Sequence, residues 1–278
     1  MPGRPEGGLL LLQQDMSEPK VRAFGNGRVA VFSSRSPDKT GVNEDAAALI
    51  PYNRDSGVLV VADGAGGMRA GFRASNVAIK RLRSTLRAGA REGAPLREML
   101  LEGIDRANAA VCSIGGAATT LAAVEIQHRT VRTYHAGDTP IMVVGGRGLI
   151  KLKTIDHSPV GYAHESGVLN EEEAIHHELR HVISNFLGNQ DMRVEVSSPL
   201  TLAVRDRLLI ASDGLFDNLK IREIDEIICK GRLINAARNL VTLSRQRMQA
   251  PEDGEPSKPD DLTLLLYRPA RRRKTDRP

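Results

Sequence analysis

The stretch VLVVADGAGG, residues 58–67, runs five apolar residues without a break into Asp63 and a glycine-rich turn. An apolar run of this length, bounded by glycine, reads as a buried strand, and it delivers a carboxylate to the strand's mouth. The pattern recurs along the chain. LLIASDG (208–214) leads into Asp213 and Gly214, and DDLTLLL (260–266) sets Asp260 and Asp261 just before another apolar run. NEDAAA (43–48) does the same with Glu44 and Asp45, and HAGD (135–138) leaves Asp138 after a further strand. Asp-Gly is a common turn, so one such junction says little. If the strands are neighbours, however, these acids meet at one end of a sheet.

Outward from these junctions, short apolar runs predict strands over 29–32, 46–50, 58–62, 120–126, 131–134, 141–144, 208–211 and 262–266. Helical spacing predicts helices over 74–86, over 96–111 on Leu96, Leu100, Ile104, Ala107 and Val111, and over 221–243. A further helix is predicted over 170–188, opened by Asn170 as N-cap with Glu171, Glu172 and Glu173 in its first turn, and stopped by Gly188. Strands and helices do not alternate strictly, which indicates an α+β class with mainly antiparallel layers.

Composition bounds the rest. The 278 residues are 41% hydrophobic but only 3% aromatic, with no Trp, so the core must be built from aliphatic side chains. Few aromatics also argue against stacking on single-stranded nucleic acid. The net charge of +5 belongs to the segment 268–278, where six basic residues face Asp276. Two cysteines, Cys112 and Cys229, give no disulfide framework and point to the cytoplasm. Neither opens a C-x5-R phosphate loop, because Ala118 and Asn235 stand at the Arg position. No stretch is long enough to span a bilayer. Residues 1–20 read as a loose N-terminal segment, 21–268 as one domain, and 269–278 as a basic tail.

Several carboxylates brought together repel one another unless something positive sits among them. Oxygen ligands without Cys or His suit hard cations such as Mg²⁺ or Mn²⁺. Two such ions can activate a water and hold a phosphoryl group for in-line attack.

Six segments carry a family resemblance: GVNED (41–45), VADGAGG (61–67) with Ala70-Gly71, ATT (118–120), GDT (137–139), ASDGLFD (211–217) and DDLT (260–263). With these, in this order over about residues 28 to 267, the chain resembles the metal-dependent Ser/Thr protein phosphatases of the PP2C (PPM) family. The resemblance implies a four-layer α-β-β-α sandwich of two mainly antiparallel sheets flanked by helices. It implies hydrolysis of phosphoserine and phosphothreonine in proteins by a water activated by two Mn²⁺ or Mg²⁺ ions, with a third, weaker ion. Asp63 would bridge the pair and Gly64 would give its carbonyl. Asp213 and Asp260 would complete the metal shell, Glu44 and Asp45 would act partly through bound water, and Asp138 would help hold the third ion. The implied partners are a phosphorylated protein substrate and a Ser/Thr kinase or its targets, with the enzyme a monomer.

Two departures qualify this. Thr40 stands where the family has a phosphate-gripping Arg, leaving Lys39 and Arg35 to substitute, and Lys lacks the bidentate fork. Ala65 stands where many members carry a His. The alternative is therefore a catalytically weak, binding or regulatory relative. A more distant alternative is a zinc protease, because HELRH (177–181) fits H-E-x-x-H. The longer zinc signature fails at Ser184 and Leu187. On the resemblance, residues 154–190 form a flap-like segment that needs no zinc.

Overall fold

The computed structural model describes residues 8–65, 70–180, 182–251 and 254–270. Gly66 and Gly67 of the first glycine turn, His181 of HELRH and the basic residues 271–274 lie outside them.

Two sheets form the centre. One runs in the order β1 (Leu9–Leu12), β4 (Ala46–Pro51), β5 (Ser56–Ala62), β6 (Leu121–Gln127), β7 (Thr130–Ala136) and β10 (Glu195–Val196), with β11 (Leu200–Thr201) also pairing β7. The other runs β2 (Lys20–Phe24), β3 (Gly27–Ser34), β13 (Leu262–Pro269), β12 (Arg207–Ala211), β8 (Ile141–Val144) and β9 (Ile150–Lys153). All the strand pairings between them are antiparallel.

Alternation along each strand builds the layers. In β5, Val58, Val60 and Ala62 face α1 (Gly71–Glu92) and α2 (Leu96–Cys112), where Ile79, Leu82, Leu100 and Ile104 meet them. Leu59 and Val61 face the other way and pack on Val31, Ile210 and Leu265 of the second sheet. On that sheet's far side, Phe32, Leu209 and Leu264 meet α5 (Asp213–Phe216), α6 (Ile221–Ile228) and α7 (Leu233–Gln249). The four-layer α-β-β-α sandwich follows, and each fully buried Leu or Ile in it contributes about 2 kcal/mol. Small Ala residues at 46–48 and 122–123 let the layers approach without aromatics.

Three expectations need correction. Leu9–Leu12, read as part of a loose segment, is an edge strand in register with Ala46 to Leu49. The helix predicted over 221–243 is two helices, broken where Gly231 takes a positive φ of 65°. The helix predicted over 170–188 has its Asn170–Glu173 capping box but stops as α4 (Glu171–Ile175). Its apolar stripe has no layer beneath it: Leu179 is 49% and Val182 37% exposed. A short helix without tertiary packing does not propagate. Downstream of it, Ser184 binds the carbonyl of His157 and Leu187 bridges to Thr119 instead. Between β9 and α4 lies α3 (Pro159–Glu165), capped by Ser158. No described helix is long and apolar enough to cross a membrane.

Candidate metal centre

Register brings the acids together. Ala46 pairs with Ala62, so Asp45, just before β4, and Asp63, just after β5, lie at the same end of their sheet. Ala211 pairs with Leu264, which sets Asp213 after β12 beside Asp260 before β13. The two sheets are tied at this end by Ser212, whose hydroxyl donates to Asp45 Oδ2 at 2.8 Å. Thr120 joins Asp63 to the β7 turn: its hydroxyl accepts from the Asp63 N–H at 3.0 Å and lies 2.6 Å from the Thr139 hydroxyl, next to Asp138.

Two glycines permit these approaches. A Cβ on Gly64 would lie 2.5 Å from the Gly71 carbonyl, and one on Gly214 would lie 2.0 Å from that of Asp261. Neither turn accommodates a side chain.

Electrostatics shows how tight the cluster is. Burial, and then the charges of Asp45, Asp213, Asp260 and Asp138, push the Asp63 carboxyl well above the ordinary carboxylate range. Burial and Asp261 raise Asp45 in the same way. Burial and Asp213 hold Asp260 up at about 6, and burial with Asp213 and Asp156 holds Asp138 up at about 8. Asp217 is raised by burial and by Asp213. Asp45 Oδ1 is buried with no hydrogen-bond partner among the described residues. Packed oxygen donors that resist ionisation, one of them orphaned, fit hard divalent cations.

One protein cation already stands among them. The Lys258 ammonium reaches Asp213 Oδ2 at 2.6 Å, Asp217 Oδ2 at 2.9 Å and Asp260 Oδ2 at 3.1 Å. Its backbone is pinned on both sides by the buried Asn218 amide, which donates to the Lys258 carbonyl at 2.8 Å and accepts from its N–H at 2.9 Å. Burial disfavours the ammonium, but the acids outweigh it and hold its pKa far above the usual lysine value. Nothing local in the sequence marks Lys258 as a lysine that meets Asp213 and Asp217 from beyond another strand.

The expected phosphate-binding side chains are otherwise engaged. Lys39 bonds Glu44 Oε2 at 2.6 Å and Asp261 Oδ2 at 2.9 Å. Burial draws its pKa down, yet these bonds push it up to about 12. Arg35 pairs with Asp15 at 3.1 Å on the surface. Asp261 is nearly inaccessible and also accepts the N–H groups of Ser36 and Glu44 at 2.7 Å each, so it fixes the Glu44 loop. Arg180 lines the cleft with Asp138, Asp213 and Asp217, its Nη1 donating to the Ile175 carbonyl, and its charge is felt at Asp217. It is the Arg of HELRH. Residues 176–180 form no helix, and His177 Nδ1 accepts from the Leu179 N–H at 3.1 Å; His181 lies outside the described residues.

A second metal-capable group, missed in the sequence, lies on β7. His135 and Glu195 are directly opposed across β7 and β10, and His157 stacks on His135 with centroids 4.4 Å apart. One donor atom from each lies within 4.8 Å of the others. His157 Nδ1 accepts from the Gly137 N–H at 3.2 Å and from Asn185 Nδ2 at 2.8 Å. Its proton therefore sits on Nε2, facing Glu195 Oε2 at 3.2 Å. An ion there would require that N–H to be surrendered, so the oxygen cluster is the better-formed centre.

The raised acids predict how metal binding depends on pH. A carboxyl held at about 6 or 8 in the fold, against an ordinary value near 4 unfolded, keeps its proton over that window. The stability this proton binding contributes is lost as pH rises through 6 to 8, and a divalent ion must displace the same protons. Mn²⁺ affinity is expected to weaken from pH 8 to pH 6 by up to roughly tenfold per unit for each proton displaced. Calorimetry in two buffers of different ionisation enthalpy measures that release. No proton release at pH 6.5 would contradict the cluster as the metal site.

The protein phosphatase 2C family model matches residues 38–247. A putative protein phosphatase 2C-type protein of Streptococcus pyogenes is 31% identical over 202 residues, covering 68% of this chain and 80% of the relative. Among solved structures, the PPM Ser-Thr phosphatase MsPP of Mycobacterium smegmatis, in complex with cacodylate, is similar at TM-score 0.71 and 27% identity, over 86% of this chain and 97% of that one. The S. agalactiae serine/threonine phosphatase is similar at TM-score 0.73 and 26% identity, over 86% and 98% of the two chains.

Proposed function

The chain belongs to the protein phosphatase 2C family, metal-dependent phosphatases of phosphoserine and phosphothreonine, and from that premise we propose that its acid cluster is the hydrolytic site, with two Mn²⁺ or Mg²⁺ ions bound. The observation that carries this reading is the convergence of Asp45, Asp63, Asp138, Asp213 and Asp260 from both sheets on one all-oxygen centre. Asp63, Asp213, Asp260 and the Gly64 carbonyl would hold the pair. Asp138 would serve a third ion, and Glu44 and Asp45 would orient water. Such ions, when bound, polarise the phosphoryl group and acidify water.

The chain's own contribution is to bind and orient the phosphoester. Thr40 supplies no guanidinium, and Lys39 is held by Glu44 and Asp261. Arg180 lines the cleft with Lys153, its Nη1 donating to the Ile175 carbonyl, and its planar fork suits a phosphate. Ser212 and Thr120 hold Asp45 and Asp63 in place without charge. Asp156 lines the same cleft, and burial raises its carboxyl above the ordinary range. We assign the natural partner as a Ser/Thr kinase or its targets, and the setting as a cytoplasmic monomer, in keeping with two free cysteines.

Arg180→Ala is expected to raise KM for a phosphothreonine peptide by roughly tenfold, the order of one charged hydrogen bond, with little change in kcat. Glu178→Ala, in the same segment but exposed, leaves both within about twofold. Steady-state kinetics with Mn²⁺ decides. An unchanged KM in Arg180→Ala would remove it from substrate binding, and loss of all activity in Glu178→Ala would revive HELRH as the active motif.

A further inference from the structure

At the opposite end of the second sheet the charge reverses. Arg207 opens β12 and Asp213 follows its other end, six extended residues or about 20 Å away. Arg207 is only 3% exposed. Its Nη2 donates to the Gly231 carbonyl at 2.5 Å, but Nε and Nη1 are buried with no partner among the described residues. An unsatisfied buried guanidinium is costly to a fold. The group lines a cavity of about 340 Å³ with Arg205, Arg268 and Cys229, and no carboxylate among the described residues lines it. Gly146 lets Arg205 lie flat against it, since a Cβ there would meet Arg205 Cβ at 2.6 Å.

The basic character extends across the strands. Arg268 pairs directly with Arg28 across β13 and β3, a like-charged pair that is unfavourable by itself. Arg28, Arg232 and Arg268 line an adjoining cavity together with Leu233 and Ile234. Those two residues open α7, whose N-cap, Arg232, supplies no side-chain cap and whose first turn holds no acid. Free N–H groups at a helix start favour an anion. Among the described residues, none of Arg28, Arg205, Arg207, Arg232 and Arg268 forms an ion pair with a carboxylate.

We propose that this pole binds a phosphate-type oxyanion, with Arg207 at its depth, Arg205 and Arg268 at its mouth, and Arg28, Arg232 and the first turn of α7 as a second subsite. Burial and the Arg268 charge draw the Arg207 pKa down, as expected for a guanidinium lacking its counter-ion. The site is separate from the acid cluster and independent of the metal reading.

The test titrates the full-length chain with inorganic phosphate and with pyrophosphate in EDTA, at ionic strength matched with NaCl, by calorimetry and thermal shift. Saturable binding with a raised Tm is expected, weakened at least about tenfold in the double variant Arg205→Ala/Arg268→Ala. Both side chains are exposed, so the fold should persist, as circular dichroism checks. Asp63→Asn should leave the affinity unchanged. The proposal is overturned if neither anion binds above NaCl, or if the double variant binds as the wild type does. Binding lost only on deleting residues 271–278 would assign the anion to the tail and overturn it equally.

Discussion

Asp63→Asn is expected to lower phosphate release from a phosphothreonine peptide by roughly a thousandfold or more, the several kcal/mol a bound metal contributes to such chemistry. The fold should survive. Asp63 sits among Asp45, Asp213, Asp260 and Asp138, and these together with burial already disfavour its charge. A neutral amide of the same shape relieves that repulsion. In EDTA the Tm of Asp63→Asn should therefore equal or exceed that of wild type, whereas with Mn²⁺ the order should reverse. Asp213→Asn should lose turnover likewise, but it also removes the negative charge paired with Lys258 at 2.6 Å, so its Tm in EDTA should fall. Turnover near the wild-type level in either variant would sink the assignment of these acids to metal.

The second large effect concerns Lys258. Its ammonium lies against Asp217 and against two of the acids proposed to serve metal, Asp213 and Asp260, fixed from behind by Asn218. It is a resident cation where a divalent ion needs the same oxygens. Lys258→Gln removes the charge and keeps a polar end. Mn²⁺ should then bind at least roughly tenfold tighter, because a competing positive charge in a poorly solvated cluster is gone. The same variant should be less stable in EDTA, since the carboxylates lose their counter-ion. Equilibrium dialysis with Mn²⁺, paired with thermal melts, reads both. Unchanged or weaker Mn²⁺ binding would show that Lys258 sits alongside the ions and does not compete with them.

What the sequence disclosed depends on how local the signal is. The junctions at Asp63, Asp213 and Asp260 were legible because a strand and its terminal acid are contiguous, and apolar runs mark strands well. Layering was legible for the same reason, through alternation within β5. Lys258 was not, since its partners Asp213 and Asp217 lie more than forty positions away and only the β12–β13 pairing unites them. The arginine pole escaped for a similar reason: Arg28, Arg207 and Arg268 come from three strands, and net charge located only the terminal segment. The helix predicted over 170–188 fell short because the apolar spacing over 175–186 matches a helix while no layer packs against it. Helix formation there needs a surface to pack on, and Leu179 and Val182 are left exposed. His135, His157 and Glu195 likewise come from three separate segments, joined by a cross-strand pair and a stacked ring.

The most direct test of the central claim is phosphate release from a phosphothreonine peptide by the full-length wild-type chain, measured with Mn²⁺, Mg²⁺, Zn²⁺ or EDTA. Turnover with Mn²⁺ or Mg²⁺ that EDTA abolishes and Asp63→Asn does not regain is the predicted result. Folded protein that releases no phosphate with any ion, or that releases it equally well in EDTA, would contradict it.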